Sequence, residues 1–261
     1  MAATGSRPEL LAIVGPTASG KSALAMMIAT TKGGEIIAAD SRTVYRGMDI
    51  GTAKPNEGEQ AVVPHWGLDL VEPGETYSVH DFKTYANLAI ADIQSRGKLP
   101  ILVGGTGLYV DAILFDFRFS PDGAKRDSQN PRHLVKSNRP LDKKIIPDTL
   151  IIGLMPDNYT LKKSIDGRAE QVFKKGVVKE TEKLVRRYGE SAVFSTGGIV
   201  YRICLKLLNG QISRAEAVAK FKIADWKYAR RQKTWFKRNR YIKWFDSAEG
   251  AYQYLNNNNE L

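Results

Sequence analysis

The sequence predicts an α/β fold in which helices cover both faces of a parallel sheet. Short apolar runs alternate with helical patterns through the first half of the chain, and this alternation is typical of such sheets. The strongest apolar runs also end in polar or glycine-rich turns, at residues 15–22, 40–45 and 104–109. In a parallel sheet the functional groups gather at the carboxyl ends of the strands, so these turns form the predicted site.

The individual elements are predicted from the spacing of apolar residues. Strands are expected at residues 10–14, 35–39, 99–103, 149–154 and 242–245. Helices are expected at residues 22–31, 79–95 and 107–114, and then at about 158–175, 177–188, 198–208 and 213–237. Ser78 is a suitable N-cap for the 79–95 helix, and Gly97 follows its end.

The chain is predicted to have three regions. Residues 1–118 form the α/β core, and residues 149–261 supply the rest of the core and a mainly helical, basic C-terminal part. Residues 119–148 contain loop-like segments, such as Ser120-Pro-Asp-Gly, and a polar, basic stretch. We therefore expect this middle region to be a crossing segment or a reduced insertion.

The composition limits the kinds of protein that this chain can be. Its 261 residues suffice for one large domain or a domain with an appendage. No apolar run approaches the roughly 18 residues that span a bilayer, and the N-terminus lacks an apolar signal segment. Cys204 is the only cysteine, so no internal disulfide can form, which favours a reducing compartment. These features predict a cytoplasmic protein without membrane association.

The net charge of +11 favours a polyanionic partner such as nucleic acid. Much of the positive charge falls between residues 220 and 243, where Asp225 is the single acidic residue. The alternative explanation is a solvated face of an amphipathic helix, which is the usual role of such a run. The charge alone is therefore a weak indication of function.

The turn at residues 15–22 reads Gly-Pro-Thr-Ala-Ser-Gly-Lys-Ser, the phosphate-binding pattern of P-loop NTPase-like folds. Its glycines let the backbone point N–H groups at an anion, and the next helix adds partial positive charge. Lys21 is expected to reach the outer phosphate and the Ser22 hydroxyl to hold Mg²⁺. The alternative is a chance match on a glycine-rich turn. The predicted phosphate-binding residues are Gly15, Thr17, Ala18, Ser19, Gly20, Lys21 and Ser22.

Two further turns carry candidate catalytic residues. Asp40 follows the second strand and is placed as a general base or a metal-supporting carboxylate, the alternative being a turn aspartate. The turn Gly104-Gly105-Thr106-Gly107-Leu108-Tyr109 lets a ligand approach the backbone closely, and Thr106 offers a hydroxyl and an N–H. No apolar run ends in a Walker-B carboxylate, which counts against an ordinary ATPase or GTPase.

The phosphate loop is followed by Ala-Asp-Ser and Val-Tyr-Arg-Gly-Met-Asp-Ile-Gly-Thr-Ala-Lys-Pro, by the Gly-Gly-Thr-Gly-Leu-Tyr turn, and late in the chain by Tyr-Ala-Arg-Arg-Gln-Lys-Thr-Trp-Phe at residues 228–236. These motifs, taken in order, resemble those of the tRNA dimethylallyltransferases. The resemblance implies transfer of a dimethylallyl group from its diphosphate to N6 of an adenine beside the anticodon, with release of pyrophosphate. It implies that Asp40 accepts the N6 proton and that Thr106 helps to place the reacting groups.

The resemblance also implies the binding partners. Dimethylallyl diphosphate would lie on residues 17–22 with Mg²⁺ on Ser22, and the anticodon stem-loop of tRNA would bind a protein that we expect to be a monomer. The residues implied to contact RNA are Ser41, Arg42, Thr43, Gly105, Arg132, His133, Lys136, Arg230, Arg231 and Trp235.

Several positions depart from the family pattern and leave three interpretations open. Arg42-Thr43 stands where the family has Met-Gln, Trp226 where it has an Arg near the diphosphate, and Gly197 where it has an RNA-facing Arg. The helical insertion that grips the anticodon stem-loop is shortened, so the basic C-terminal helix becomes more important. The chain is a minimal tRNA dimethylallyltransferase, a dimethylallyltransferase acting on free adenine nucleotides, or an RNA-binding relative without activity.

Overall fold

A six-stranded parallel sheet forms the centre of the computed structural model, which describes residues 8–119, 145–258 and 260–261. The strands lie in the order β3-β2-β4-β1-β5-β6. Their bounds are β1 Leu10–Val14, β2 Gly34–Ala38, β3 His65–Trp66, β4 Leu99–Gly104, β5 Thr149–Leu154 and β6 Lys243–Phe245. The predicted parallel sheet is confirmed, with the phosphate-loop strand β1 between β4 and β5.

Helices surround the sheet and make up most of the C-terminal part. They are α1 Lys21–Lys32, α2 Glu57–Val62, α3 Val79–Ser95, α4 Gly107–Leu114, α5 Asn158–Lys175, α6 Val177–Tyr188, α7 Glu190–Thr196, α8 Ile199–Leu208, α9 Arg214–Phe236 and α10 Ala248–Asn257. Every predicted helix is present to within one or two residues at each end. None of the helices in the described part of the chain is long and apolar enough to cross a bilayer.

The two faces of the sheet are covered by different helices because side chains alternate along each strand. Leu11 and Ile13 of β1 pack in a buried cluster with residues of α1 and α10. Leu10 and Val14 of the same strand pack in a second cluster with residues of α3 and α4. All five residues of β1 are buried, which explains why its sequence is a continuous apolar run.

The loop after β2 is held by the helical C-terminal part. Its Val44 and Met48 are buried in a third apolar cluster that includes residues of α5, α6, α8 and α9. The Glu180 carboxylate of α6 accepts hydrogen bonds from the backbone N–H groups of residues 49, 50 and 51, at 2.8–3.2 Å. The Tyr201 hydroxyl donates to the same carboxylate at 2.6 Å. The loop that begins at Asp40 is therefore fixed at its far end by α6 and α8.

Candidate active site

Three loops meet at the carboxyl ends of β1, β2 and β4, as predicted for a parallel sheet. The Thr106 N–H donates to the carbonyl of Ala39 at 3.3 Å, and the Ser41 N–H donates to Thr106 Oγ1 at 3.1 Å. A Cβ atom on Gly104 would lie 2.1 Å from the Ala39 carbonyl oxygen, so only glycine permits this approach. The loops that carry Asp40 and Thr106 are thus in direct contact.

The phosphate loop wraps tightly between β1 and α1. Gly15 has φ +144°, and a Cβ atom on it would lie 2.3 Å from the Leu154 carbonyl oxygen. Gly20, with φ +92°, is the N-cap of α1 and offers no capping side chain, so the first N–H groups of α1 are left to bind another group. The side-chain hydroxyl of Ser19 is buried and has no hydrogen-bond partner in the described part of the chain. An anion in this loop would supply the missing acceptor.

The Lys21 ammonium group lies against the phosphate loop and interacts electrostatically with Asp40. Its Nζ donates to the Pro16 carbonyl at 2.5 Å. Burial of the ammonium group lowers the pKa of Lys21 to about 8, while the nearby Asp40 carboxylate opposes this shift. A bound anion would relieve the desolvation and favour the charged lysine.

Asp40 makes the turn hydrogen bond that its alternative interpretation predicted. Its Oδ1 accepts the N–H of Arg42 at 2.8 Å, which is the geometry of an Asx turn. That bond uses one of the two carboxylate oxygens and coexists with the electrostatic interaction between Asp40 and Lys21. The structural and the catalytic interpretations of Asp40 are therefore compatible.

Helix α9 contributes residues that were not identified as site residues from the sequence. Gln232 is buried and bonds to both the phosphate loop and Gly105. The hydroxyl of Tyr228 forms a hydrogen bond with Thr106, and burial together with the Asp40 charge raises the pKa of Tyr228 to about 12. The sequence contained a signal for such residues. The buried positions on one face of α9 include two polar residues, and these positions are 221, 225, 229, 232 and 236.

A buried ion pair lies beside the phosphate loop. The Arg168 Nη1 of α5 is 2.7 Å from the Asp225 Oδ2 of α9, and the Asp225 side chain is only 6% exposed. Burial raises the pKa of Asp225 and the Arg168 guanidinium opposes the shift. Both charges act on Lys21. Trp226, which follows Asp225, and Ala18 of the phosphate loop both pack against the small buried cluster of Leu161, Ile165 and Ala229.

The residues proposed to contact RNA near Asp40 differ in accessibility. Thr43 is buried, and its hydroxyl donates to the Asp40 carbonyl at 3.3 Å. The partly buried Arg42 donates from Nη1 to the Thr196 carbonyl at 2.7 Å. Gly105 is also buried, beneath Gln232. Ser41 is half-buried and lies beside Thr106.

The remaining RNA-binding predictions fall on α9 and on residues that lie outside the described part of the chain. Arg230 and Arg231 are exposed on α9, and the Arg231 guanidinium lies 5.6 Å from the centre of the Tyr228 ring. Trp235 packs against Gly107 and donates from Nε1 to Asp111 Oδ2 at 3.0 Å, so contacts within the protein account for its position. The residues outside the described part are Arg132, His133 and Lys136.

Models of two protein families match the chain. The IPP transferase model matches residues 43–146 and 126–239, and the isopentenyl transferase model matches residues 8–63. Together these segments include the phosphate loop, the Asp40 loop, the Thr106 turn and all of α9.

Curated relatives match over most of their own length. A tRNA dimethylallyltransferase of Desulfitobacterium hafniense (strain Y51) is 34% identical over 290 residues, covering 92% of this chain and 92% of the relative. One from Anaeromyxobacter sp. (strain Fw109-5) is 36% identical, covering 90% of this chain and 94% of the relative. The first alignment is longer than the 261 residues of this chain, so that relative has segments that this chain lacks.

Solved structures share the fold. The full-length tRNA isopentenylpyrophosphate transferase of Bacillus halodurans superposes with a TM-score of 0.78 and 30% identity, covering 97% of each chain. The corresponding transferase of Staphylococcus epidermidis gives a TM-score of 0.78 and 31% identity, covering 96% of this chain and 98% of that chain. With its phosphate loop, Asp40 and Thr106 brought together at one edge of the sheet, this chain belongs to the tRNA dimethylallyltransferase family.

Proposed function

We propose that this protein transfers a dimethylallyl group from dimethylallyl diphosphate to N6 of an adenine in tRNA, beside the anticodon. The observation that carries the proposal is the direct contact between the Asp40 and Thr106 loops next to the phosphate loop. A diphosphate on the phosphate loop and a base at Asp40 would then act on the same substrate carbon. The family membership supports the same reaction.

The reaction breaks one bond and forms another at the allylic carbon. The carbon–oxygen bond to the diphosphate breaks, and its electron pair leaves with pyrophosphate. The lone pair of N6 attacks that carbon, and the N6 proton passes to the Asp40 carboxylate. Lys21 and the N-terminal N–H groups of α1 stabilise the negative charge that develops on the leaving group.

A magnesium ion fits the residues around the phosphate loop. Ser22 is exposed in the first turn of α1, one residue after Lys21. Within the described residues, no group of three or more His, Cys, Asp and Glu side chains could hold a metal by itself. Mg²⁺ commonly takes one or two protein ligands and completes its shell with phosphate oxygens and water, so the Ser22 hydroxyl suffices as an anchor. When bound, the ion would neutralise charge on the diphosphate.

The affinity for the donor should depend on pH through Lys21. The pKa of this lysine is about 8 in the free protein, and a bound diphosphate raises it because the anion favours the ammonium form. Binding is therefore strongest below pH 8. Above pH 8 the dissociation constant should rise by up to about tenfold per pH unit, until the pKa of the complex is reached. Calorimetric titration with dimethylallyl diphosphate, without acceptor RNA, between pH 7 and 9.5 measures this.

Lys21→Arg is the control for the pH prediction. The guanidinium stays charged throughout this range, so the dissociation constant of the variant should change little with pH. A wild-type protein whose affinity is constant from pH 7 to 9.5 would show that Lys21 does not titrate there.

The exposed arginines of α9 are proposed to bind the RNA backbone. Arg231 extends over Tyr228, whose hydroxyl reaches Thr106, so the basic face of α9 borders the site. Replacing Arg230 and Arg231 by Gln should weaken tRNA binding. It should also reduce the slope of log K against log salt by about 0.7–0.9 for each lost phosphate contact. Filter binding between 50 and 300 mM salt measures both quantities.

A second arginine pair provides the matched control. Arg186 and Arg187 are adjacent and exposed on α6. Their replacement by Gln changes the net charge equally and should leave the salt slope nearly unaltered. If both double variants lose tRNA affinity and salt slope equally, α9 attracts RNA only through the overall charge of the protein.

The acceptor is identified by offering labelled dimethylallyl diphosphate with either tRNA or AMP. Label in tRNA is the expected result. Label in AMP alone would identify an enzyme of free nucleotides. If neither acceptor is labelled while RNA still binds, the chain is an RNA-binding relative without activity.

A further inference from the structure

The buried face of α9 places a side-chain amide between two loops of the site. Gln232 is 6% exposed. Its Oε1 accepts the N–H of Thr17 at 2.8 Å, and its Nε2 donates to the Gly105 carbonyl at 2.9 Å. Thr17 belongs to the phosphate loop, and Gly105 precedes Thr106. One amide therefore connects the loop that binds the donor to the loop that contacts Asp40.

The chemistry of these two bonds fixes the orientation of the amide. A backbone N–H can only donate and a carbonyl can only accept, so the oxygen must face Thr17 and the nitrogen must face Gly105. The Gln232 amide also packs directly against Gly105, because a Cβ atom placed on Gly105 would lie 2.2 Å from Nε2. Glutamine supplies both a donor and an acceptor at the end of a side chain of this length. Glutamate supplies both only when it is protonated.

We propose that Gln232 is a positioning residue that sets the separation between the phosphate loop and the Gly105–Thr106 turn. This inference rests on the proposed function. With Gln232 in place, the reacting carbon of the donor lies within reach of the N6 group held at Asp40. Because effective catalysis requires near-attack geometry, a shift of the donor loop of about 1 Å would cost about a hundredfold in rate.

The position of Gln232 on α9 connects this geometry to the RNA side of the molecule. Arg231 is the preceding residue and is exposed, and Tyr228 lies one turn earlier with its hydroxyl on Thr106. Helix α9 thus carries the residues proposed to contact RNA phosphates on its exposed face, while its buried face contacts both loops of the site. Movement of α9 on RNA binding would be transmitted to the donor loop through the Gln232 amide.

Two substitutions test the role of Gln232. Gln232→Met is similar in size and makes neither hydrogen bond, so kcat should fall at least tenfold while KM for tRNA changes less than twofold. Gln232→Glu should be equally slow at pH 8. As the pH falls toward 5.5, its carboxyl group takes up a proton and can again donate to Gly105 and accept from Thr17. The ratio of its kcat to the wild-type kcat should therefore rise at least fivefold, whereas the ratio for Gln232→Met should stay constant.

Each outcome of this experiment supports or overturns the proposal. Transfer by the wild-type protein is measured first, and its absence with every acceptor would refute the proposed function and with it the role of Gln232. If the wild-type protein is active and Gln232→Met has normal kcat with only a lower melting temperature, Gln232 has a purely structural role. Should Gln232→Met fail to fold, the pH ratio of Gln232→Glu decides, and a flat ratio overturns the proposal.

Discussion

Replacing Asp40 by Asn is expected to lower kcat for dimethylallyl transfer by about 10²–10⁴-fold, the usual contribution of a general base. The asparagine oxygen can still accept the Arg42 N–H bond that now forms at 2.8 Å, so the turn after β2 should be retained. What is lost is the ability to take the N6 proton. Single-turnover measurements with saturating tRNA and dimethylallyl diphosphate would isolate this step.

Binding measurements complete the test of Asp40. The dissociation constant for dimethylallyl diphosphate should stay within a few fold of the wild-type value, because Lys21 and the α1 N-terminus remain. Asp166→Asn is a matched control, since Asp166 forms a partly exposed i,i+4 ion pair with Lys162 that contributes little. If Asp40→Asn turns over at the rate of this control, another group accepts the proton.

Replacing Lys21 by Met should weaken diphosphate binding by about a hundredfold or more, in line with the 2–5 kcal/mol that loss of one partner of a buried charge pair typically costs. The effect is expected to be larger below pH 8, where the wild-type lysine is charged. Calorimetric titration with dimethylallyl diphosphate at pH 7 and at pH 9 measures it. The two variants should have different effects: Asp40→Asn is expected to slow the chemical step, and Lys21→Met is expected to weaken donor binding.

Stability measurements distinguish loss of binding from loss of folding. Burying an ammonium group is costly, so the urea midpoint of Lys21→Met should equal or exceed that of the wild-type protein. Lys163→Met, at an exposed position on α5, should leave diphosphate affinity unchanged. A Lys21→Met variant that is folded and binds the donor normally would remove Lys21 from the phosphate site.

The sheet was predictable because each central strand is an apolar run that ends in a distinctive turn. The short helices and strands could not be predicted in this way. Helix α2 buries none of its residues, so it has no apolar stripe to detect, and only the Asn56–Glu59 capping box marks it. Strand β3 pairs through two residues, which is too short a segment for alternation to be visible. Helices α7 and α10 were also missed, although Ser247 is a suitable N-cap for α10.

The candidate site was predictable where residues follow strands directly. Asp40 follows β2 and Thr106 follows β4, so the strand order alone brings these two residues together. Gln232 and Arg168 reach the site from distant helices, and their contacts depend on how α5 and α9 rotate against the loops. Periodicity identifies the buried face of α9 but not which loop it meets, so these contacts could be found only in three dimensions.

The hydrogen bonds between Glu180 and the loop after β2 limit how the protein can be divided into independent parts. The loop with the proposed catalytic carboxylate leaves the sheet at Asp40, but its far end is held by α6 and Tyr201. The chain then returns to the sheet, where Lys243–Phe245 of β6 pairs with β5. The sheet and the helical part therefore cannot be exchanged independently of each other, and a recombinant chimera must keep both from one parent.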